Sequence, residues 1–584
     1  MTRKTTAIIM ALILAASCLA GCNDNKPSAD DTSETNASSQ TSENSQNDSS
    51  EVSAEASDTS GSIQYLRTNW DKDSYFSDGD TKDIAAESAD AEITLSGNSG
   101  TISDTTRGSS GSEVTITSKG IYRITGSSDG VSIVVNDETE SGNIYLILDN
   151  VTMTNSSTAC ISVQSADKVI LVLTGENSLS YTNTNDSEKI DGAVYAKDDL
   201  TINGTSGGKL KITSSLHGIV CKDDLKIIGG ECDISSGSIG IKLQDGFLRL
   251  KDCTLSVQSG HDGIKLSAED KECSFYSDGA IINVTSQYDG ISITNGDSSD
   301  FTNLAEIFGG SITITAGGGS DNSKNSKTSQ KGIKCKGEIH ICDCDLKISS
   351  ADDALHNKGN MLILGGSTEI SSSDDGITSD SDLVIEEGTI TVSKSYEAIE
   401  AANVTINSGD IKLYSSDDGI NCAGGSDTGS SDSDDQWNNS GTDAKLTING
   451  GNVYVNSSGD GLDSNGSIFV TGGTVIIEGP TRDDNGAIDK GDGDDCTASI
   501  TGGTVLATGS SGMAVNFDSG TQCSALVQLS GSSGTEISVD DGSGFTFTSS
   551  KDFSCIVYSS PNMTKGNTYT IKAGDSSATA DFTS

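Results

Sequence analysis

Acidic residues recur through the middle of this chain at a fixed spacing. Asp353-Ala354-Leu355, Asp375-Gly376-Ile377, Glu397-Ala398-Ile399 and Asp418-Gly419-Ile420 follow one another at 21 or 22 residues, and Asp460 precedes Gly461-Leu462 further on. Asp352, Asp374 and Asp417 stand directly before three of these acids. Two residues past the glycine position comes a second set of oxygen donors, Glu400, Asn421 and Asp463, joined by Asp489 from the unit that carries Asp483 and Asp484. If the units stack at roughly 4.8 Å, each set becomes a column of like charge. Such a column raises the pKa of its own members and needs a counter-ion. Calcium suits it, because the ion takes about six to eight oxygens at roughly 2.3 to 2.6 Å and can bridge carboxylates of neighbouring layers, whereas magnesium resists dehydration and demands stricter geometry. A single Asp or Asn at such a place is an ordinary turn former. Turn chemistry does not call for an acid in every layer between 374 and 489.

Towards the N-terminus the second column changes sign, with Lys242, Lys265, Lys334 and His356. A base beside calcium-binding acids could abstract a proton next to a uronate carboxylate, so Lys334 and His356 are the candidate bases of a calcium-dependent lyase. The commoner role of such lysines is to neutralise the acids nearby. Aromatic residues able to stack on sugar rings are few, among them Tyr288, Tyr396, Tyr414, Tyr454 and Trp437. Lys412 and Tyr454 are expected to point outward from equivalent strand positions, so Lys412, Tyr414, Trp437 and Tyr454 are the candidate contacts for an extended polar ligand.

The elements that would hold these residues are short strands. In residues 376–397, Leu383-Val384-Ile385 and Thr389-Ile390-Thr391-Val392 alternate with the period of a strand, and Gly376-Ile377 supplies a third contact. Paired glycines recur between strands at Gly229-Gly230, Gly309-Gly310, Gly365-Gly366, Gly450-Gly451, Gly472-Gly473 and Gly502-Gly503, where they permit positive-φ corners. No convincing amphipathic helix interrupts them. A three-strand unit of about 22 residues predicts an all-β fold, a right-handed parallel β-helix. Propeller blades need longer periods, and leucine-rich repeats need their own Leu and Asn spacing. Two gaps of 42 residues, from Gly290 to Gly332 and from Gly419 to Gly461, hold low-complexity excursions over 317–330 and 423–443. The repeat is expected over 91–520, with a lead-in over 63–90 and a β-rich cap over 521–584 that covers the open strand edge.

The 85 acids against 36 bases give a net charge of −49, which argues against nonspecific nucleic-acid binding. Residues 1–21 read as an export signal, with Arg3 and Lys4, an apolar run from Ala7 to Ala20, and then Leu19-Ala20-Gly21-Cys22, which looks like a bacterial lipobox with Cys22 as the lipidation site. Residues 22–62 are almost wholly small and polar, the composition of a tether. The expected product is exported and held at the outer face of the cell membrane by its lipid alone, as a monomer. Cys232, Cys253 and Cys273 recur near the repeat period. That favours a buried thiol stack over disulfide bridges.

With these residues in hand, the chain resembles a bacterial family of exported β-helix lipoproteins with carbohydrate-binding domains. The likeness runs through Gly142-Asn143-Ile144-Tyr145-Leu146-Ile147-Leu148-Asp149-Asn150-Val151, Ala166-Asp167-Lys168-Val169-Ile170-Leu171, Gly192-Ala193-Val194-Tyr195-Ala196-Lys197-Asp198-Asp199-Leu200-Thr201-Ile202, His217-Gly218-Ile219 and Asp223-Asp224-Leu225, within a stretch of roughly 91 to 575. The resemblance implies a fold similar to pectate lyases, calcium along the helix, and a plant cell-wall polysaccharide, pectate-like or cellulose-like, as ligand. The many cysteines and the Lys and His positions depart from that pattern. The readings left open are a polysaccharide binder, a calcium-dependent pectate lyase, and a structural surface adhesin.

Overall fold

Alternation along the chain dictates the strands. In Lys209–Ser214, Glu231–Ser236 and Ile281–Ser286 every second side chain is buried and the ones between are exposed, the pattern of a strand with one face on a core. The computed structural model describes residues 72–139, 142–183, 190–268, 271–295, 303–422 and 443–581. Among them the chain is all-β: one mixed sheet of 45 strands and a second sheet of four. Helix is confined to Lys72–Tyr75 and Asp78–Thr81.

One repeat consists of His217–Cys221, Leu225–Ile228 and Glu231–Ser236. Each strand lies parallel to its counterpart in the next repeat, Ile219 opposite Ile241, Leu225 opposite Leu248 and Cys232 opposite Leu255. Antiparallel pairs enter at the two ends of the large sheet, where Ala91–Gly97 meets Ser99–Ile102 and where Cys555–Ser559 meets both Thr504–Gly509 and Ser524–Val527.

Register partners form a continuous inward line of Ile219, Ile241, Ile264, Ile291, Ile333, Leu355, Ile377, Ile399, Ile420, Leu462 and Ile488. None is more than 1% exposed. Burial of each contributes about 1.5 to 3 kcal/mol, an upper figure if the unfolded chain is itself compact. A slip of one residue would turn the whole line outward, so this apolar line fixes the register that aligns everything outside it.

Three glycines have definite causes. Gly229 and Gly230 take φ of 60° and 68°, the left-handed corner the sequence predicts. Gly218 has a different reason. A Cβ there would lie 2.5 Å from the carbonyl oxygen of Gly240 in the next repeat.

The excursion over 317–330 folds back on the repeat: the Ser320 N–H donates to Ser349 Oγ at 3.0 Å, and the Ser320 and Ser371 hydroxyls lie 2.9 Å apart. All twelve cysteines among the described residues are buried and unbridged. The thiols are buried rather than bridged, as expected, and Cys253 lies near enough to Cys232 to act on it, but they do not stack in register. Cys232 has Leu210 and Leu255 as register partners, and Cys273 has Gly246.

Candidate functional site

The inward line places the acids. Two residues before the apolar partners from Ile264 onward stand Asp262, Asp289, Lys331, Asp353, Asp375, Glu397, Asp418, Asp460 and Gly486. Their carboxylates accept from the backbone of the next repeat: Asp289 N–H donates to Asp262 at 3.2 Å, Lys331 N–H to Asp289 at 2.9 Å, Glu397 N–H to Asp375 at 3.0 Å, and Asp460 N–H to Asp418 at 2.6 Å. The acids thus satisfy corner donors that the strand ladder leaves over. Each such bond uses one carboxylate oxygen.

The residue after the apolar partner forms the second line. Register runs Val220, Lys242, Lys265, Ser292, Lys334, His356, Thr378, Glu400, Asn421, Asp463 and Asp489. Strand alternation turns all of them away from the core. Sequence spacing picks out Lys242, Lys265, Lys334, His356, Glu400, Asn421, Asp463 and Asp489 but passes over Ser292 and Thr378, whose types carry no charge signal.

The two halves of this track differ in how charge is met. In the first, Lys265 pairs with Asp262 at 2.9 Å, Lys334 stands 3.9 Å from Asp289, and His356 Nδ1 lies 2.9 Å from Asp353. Burial would raise the Asp353 carboxyl, but the His356 hydrogen bond and the Lys331 ammonium outweigh it and hold the pKa well below the usual range. Lys331 also reaches Asp352 at 3.0 Å, and Lys324, from the 317–330 excursion, joins Asp352 at 3.4 Å and hydrogen-bonds Asp374. Carboxylate oxygens of Asp352, Asp353 and Asp374 converge within 4.8 Å of one another, yet two ammonium groups already answer them. Lys324 was invisible to sequence reasoning, because only the fold-back of its loop brings it there.

In the second half, no basic side chain among the described residues pairs with Glu397, Asp418, Asp460 or Asp463. Burial, together with the charges of Glu400, Asp375 and Asp418, pushes Glu397 up to about 10. Burial and Asp418, Asp460 and Asp489 push Asp463 up to about 8; burial first and neighbouring acids second raise Asp460 to about 7 and Asp418 to about 6. Asp375 and Asp489 are raised for the same reasons. Oxygens of Asp418, Asp460 and Asp463 lie within 4.8 Å of one another. Thr378 Oγ1 and Asn421 Oδ1 have no hydrogen-bond partner, although Asn421 Nδ2 donates to both Glu397 oxygens at 3.3 and 3.2 Å. An all-oxygen set with spare acceptors fits a hard divalent cation.

Other candidates are placed differently. Asp483 and Asp484 are exposed and stand outside the acid line, where Gly486 takes the register place; Asp484 pairs with Arg482 at 3.1 Å and Asp483 accepts from the Ser510 hydroxyl. Asp417 hydrogen-bonds the Tyr396 hydroxyl, which raises the pKa of that phenol. Lys412 and Tyr454 are register partners on the third strand of their repeats, and the Tyr414 and Tyr454 rings lie 5.7 Å apart at 60°. Tyr454 is not a free ring, since its hydroxyl donates to Glu478 at 2.5 Å. Trp437 and Cys22 lie outside the described residues. His261, which the sequence did not single out, stacks on Tyr288 with centroids 3.9 Å apart at the cationic end of the track. A further acid group, Asp199, Asp223 and Asp224, converges at the turn between first and second strands, off the line of the repeat acids.

Comparison with known proteins bears on what this track serves. A family model described as carbohydrate-binding domain-containing protein matches residues 110–376 and 371–419. A carbohydrate-binding domain-containing protein of Acetivibrio thermocellus is 32% identical over 133 residues, 21% of this chain and 45% of that relative, so the chain spans less than half of the relative's length. A solved structure of the polysaccharide lyase-like protein from C. thermocellum, a gadolinium derivative, is 23% identical and covers 44% of this chain and 96% of its own, with a TM-score of 0.34.

Proposed function

The chain belongs to the family of carbohydrate-binding domain-containing proteins, and we propose that it binds a plant cell-wall polysaccharide, pectate-like or cellulose-like, on a calcium-stabilised, right-handed parallel β-helix. Family membership supports the polysaccharide. The observation that carries calcium is the run of stacked carboxyls, Glu397, Asp418, Asp460 and Asp463, raised by burial and by one another with no basic partner. Divalent ions along this run would restore their ionised form, drawing oxygens from neighbouring layers among Asp375, Glu397, Glu400, Asp418, Asn421, Asp460, Asp463 and Asp489. In-register parallel pairing between successive repeats supports the β-helix reading. Lipidation at Cys22 and export to the cell surface belong to the same proposal, resting on the sequence before residue 23.

Lys412, Tyr414 and Tyr454 offer an outward cation and two rings beside one strand, chemistry suited to sugar hydroxyls and ring faces. Lys334 stands 3.9 Å from Asp289 and His356 Nδ1 2.9 Å from Asp353, so each is engaged by an acid of its own. Affinity-gel electrophoresis through pectate, cellulose and xylan, with calcium and with chelator, tests the proposal. Retardation by at least one polysaccharide, weakened by chelator, is expected; unchanged mobility in all three would contradict it.

A further inference from the structure

On another face of the repeat, outward-facing cations are covered by the chain itself. The outward register line of the second strands reads Thr201, Lys226, Arg249, Tyr276 and Glu306. In a protein of net charge −49, the adjacent cations Lys226 and Arg249 on this line, with Lys168 close by, are an outlier. The segment 74–86 runs along this row. Asp80, 0% exposed, accepts from Lys226 Nζ at 2.8 Å, Lys168 Nζ at 3.1 Å and Thr201 Oγ1 at 2.8 Å. Further along, Arg249 donates to the Tyr75 carbonyl at 3.2 Å and lies 4.3 Å over the Tyr75 ring, which meets Tyr276 edge-on at 4.9 Å.

These contacts are the chemistry of sugar-acid recognition: two ammoniums and a hydroxyl on one carboxylate, with a guanidinium and an aromatic platform alongside. A buried ion pair is weak evidence of a stability role, since well-packed apolar residues in its place are often as stable. The segment has two apolar anchors: Phe76, 8% exposed with its ring 6.4 Å from that of Tyr276, and Ile84, which is buried with Ile147, Ile170 and Val172. Neither Phe76 nor Tyr276 belongs to the apolar core inside the repeats, so lifting residues 74–82 about Ile84 would release the Phe76 contact and leave that core closed.

We propose that residues 74–82 are a built-in ligand: the Asp80 carboxylate occupies a site formed by Lys168, Lys226 and Thr201 that takes the carboxylate of a uronic-acid oligosaccharide when the segment lifts. This rests on the polysaccharide reading but on a separate surface.

Hydrogen exchange on the full chain tests it, with trigalacturonate as probe. The probe should raise exchange of amides 74–82 at least about tenfold, and Lys226→Met should abolish that rise. Asp80→Asn, which strips the internal carboxylate, should raise exchange without probe and tighten probe binding by about tenfold or more. Unchanged exchange at 74–82 in wild-type protein under saturating probe would overturn the proposal, as would a rise that survives Lys226→Met. If the gel retardation persists while 74–82 stays protected, this inference fails alone; if neither is seen, the polysaccharide reading fails with it.

Discussion

The backbone N–H of Glu397 donates to Asp375 Oδ1, 3.0 Å away in the preceding repeat. The same bond recurs between Asp460 and Asp418. An acid at this corner thus does local work before any ion arrives: it satisfies a backbone donor of the next repeat with one oxygen. The remaining oxygen faces the neighbouring acids, and there the like-charge cost accumulates.

Removing that bond separates the two roles. Asp418→Asn keeps an oxygen acceptor for the Asp460 N–H while deleting charge, so in chelator it should match or exceed the wild-type melting temperature. Asp418→Ala leaves the donor without its partner and should cost about 1 to 3 kcal/mol. Denaturant unfolding in chelator compares the two.

Burial of Glu306 beside Glu338 gives a pH dependence that no metal touches. Desolvation first, and Glu338 second, push its carboxyl up to about 8. The folded state holds this proton where the unfolded state has lost it, so stability falls as pH rises from the unfolded value near 4.5 through 8. Below that window the contribution is flat. Thermal unfolding of wild type between pH 5 and 9 should show a decline to which the raised acids of the columns also contribute, and Glu306→Gln should make it shallower.

Close packing between repeats sets the next expectation. A Cβ on Gly419 would sit 2.2 Å from Val455 Cγ1 and 2.5 Å from the Gly461 carbonyl oxygen. Gly419→Ala should therefore destabilise the chain by about 1 to 3 kcal/mol, measured by urea unfolding. Ala398→Gly, at an equivalent place where the chain already accepts a methyl, should cost less than that.

Lys324 is half exposed, so its ion pairs to Asp352 and Asp374 are screened. Lys324→Ala should leave the melting temperature nearly unchanged while loosening the 317–330 segment. Limited proteolysis, scored by cleavage between Gly317 and Gln330, reads this directly.

The apolar line and the acid columns were legible because both obey one period: a 22-residue spacing puts Ile377 over Ile399, and whatever precedes or follows them aligns with it. Two kinds of feature were not legible. Asp483 and Asp484 look like column members by composition, but an irregular spacing before Ile488 hands the register place to Gly486. Lys324 and Asp80 act across 50 and 146 residues, on Asp374 and with Lys226 respectively. Loop return and lead-in docking are set by tertiary contacts that no local pattern announces.

Calorimetric titration of chelator-treated protein with calcium, wild type against Glu400→Gln/Asp463→Asn, bears most directly on the acid columns. The wild type should bind calcium with release of protons, because carboxyls raised to about 8 and 10 ionise as the ion enters, and the double variant should bind at least one fewer ion. Absence of calcium binding by the wild type, or identical titrations of the two proteins, would contradict the assignment.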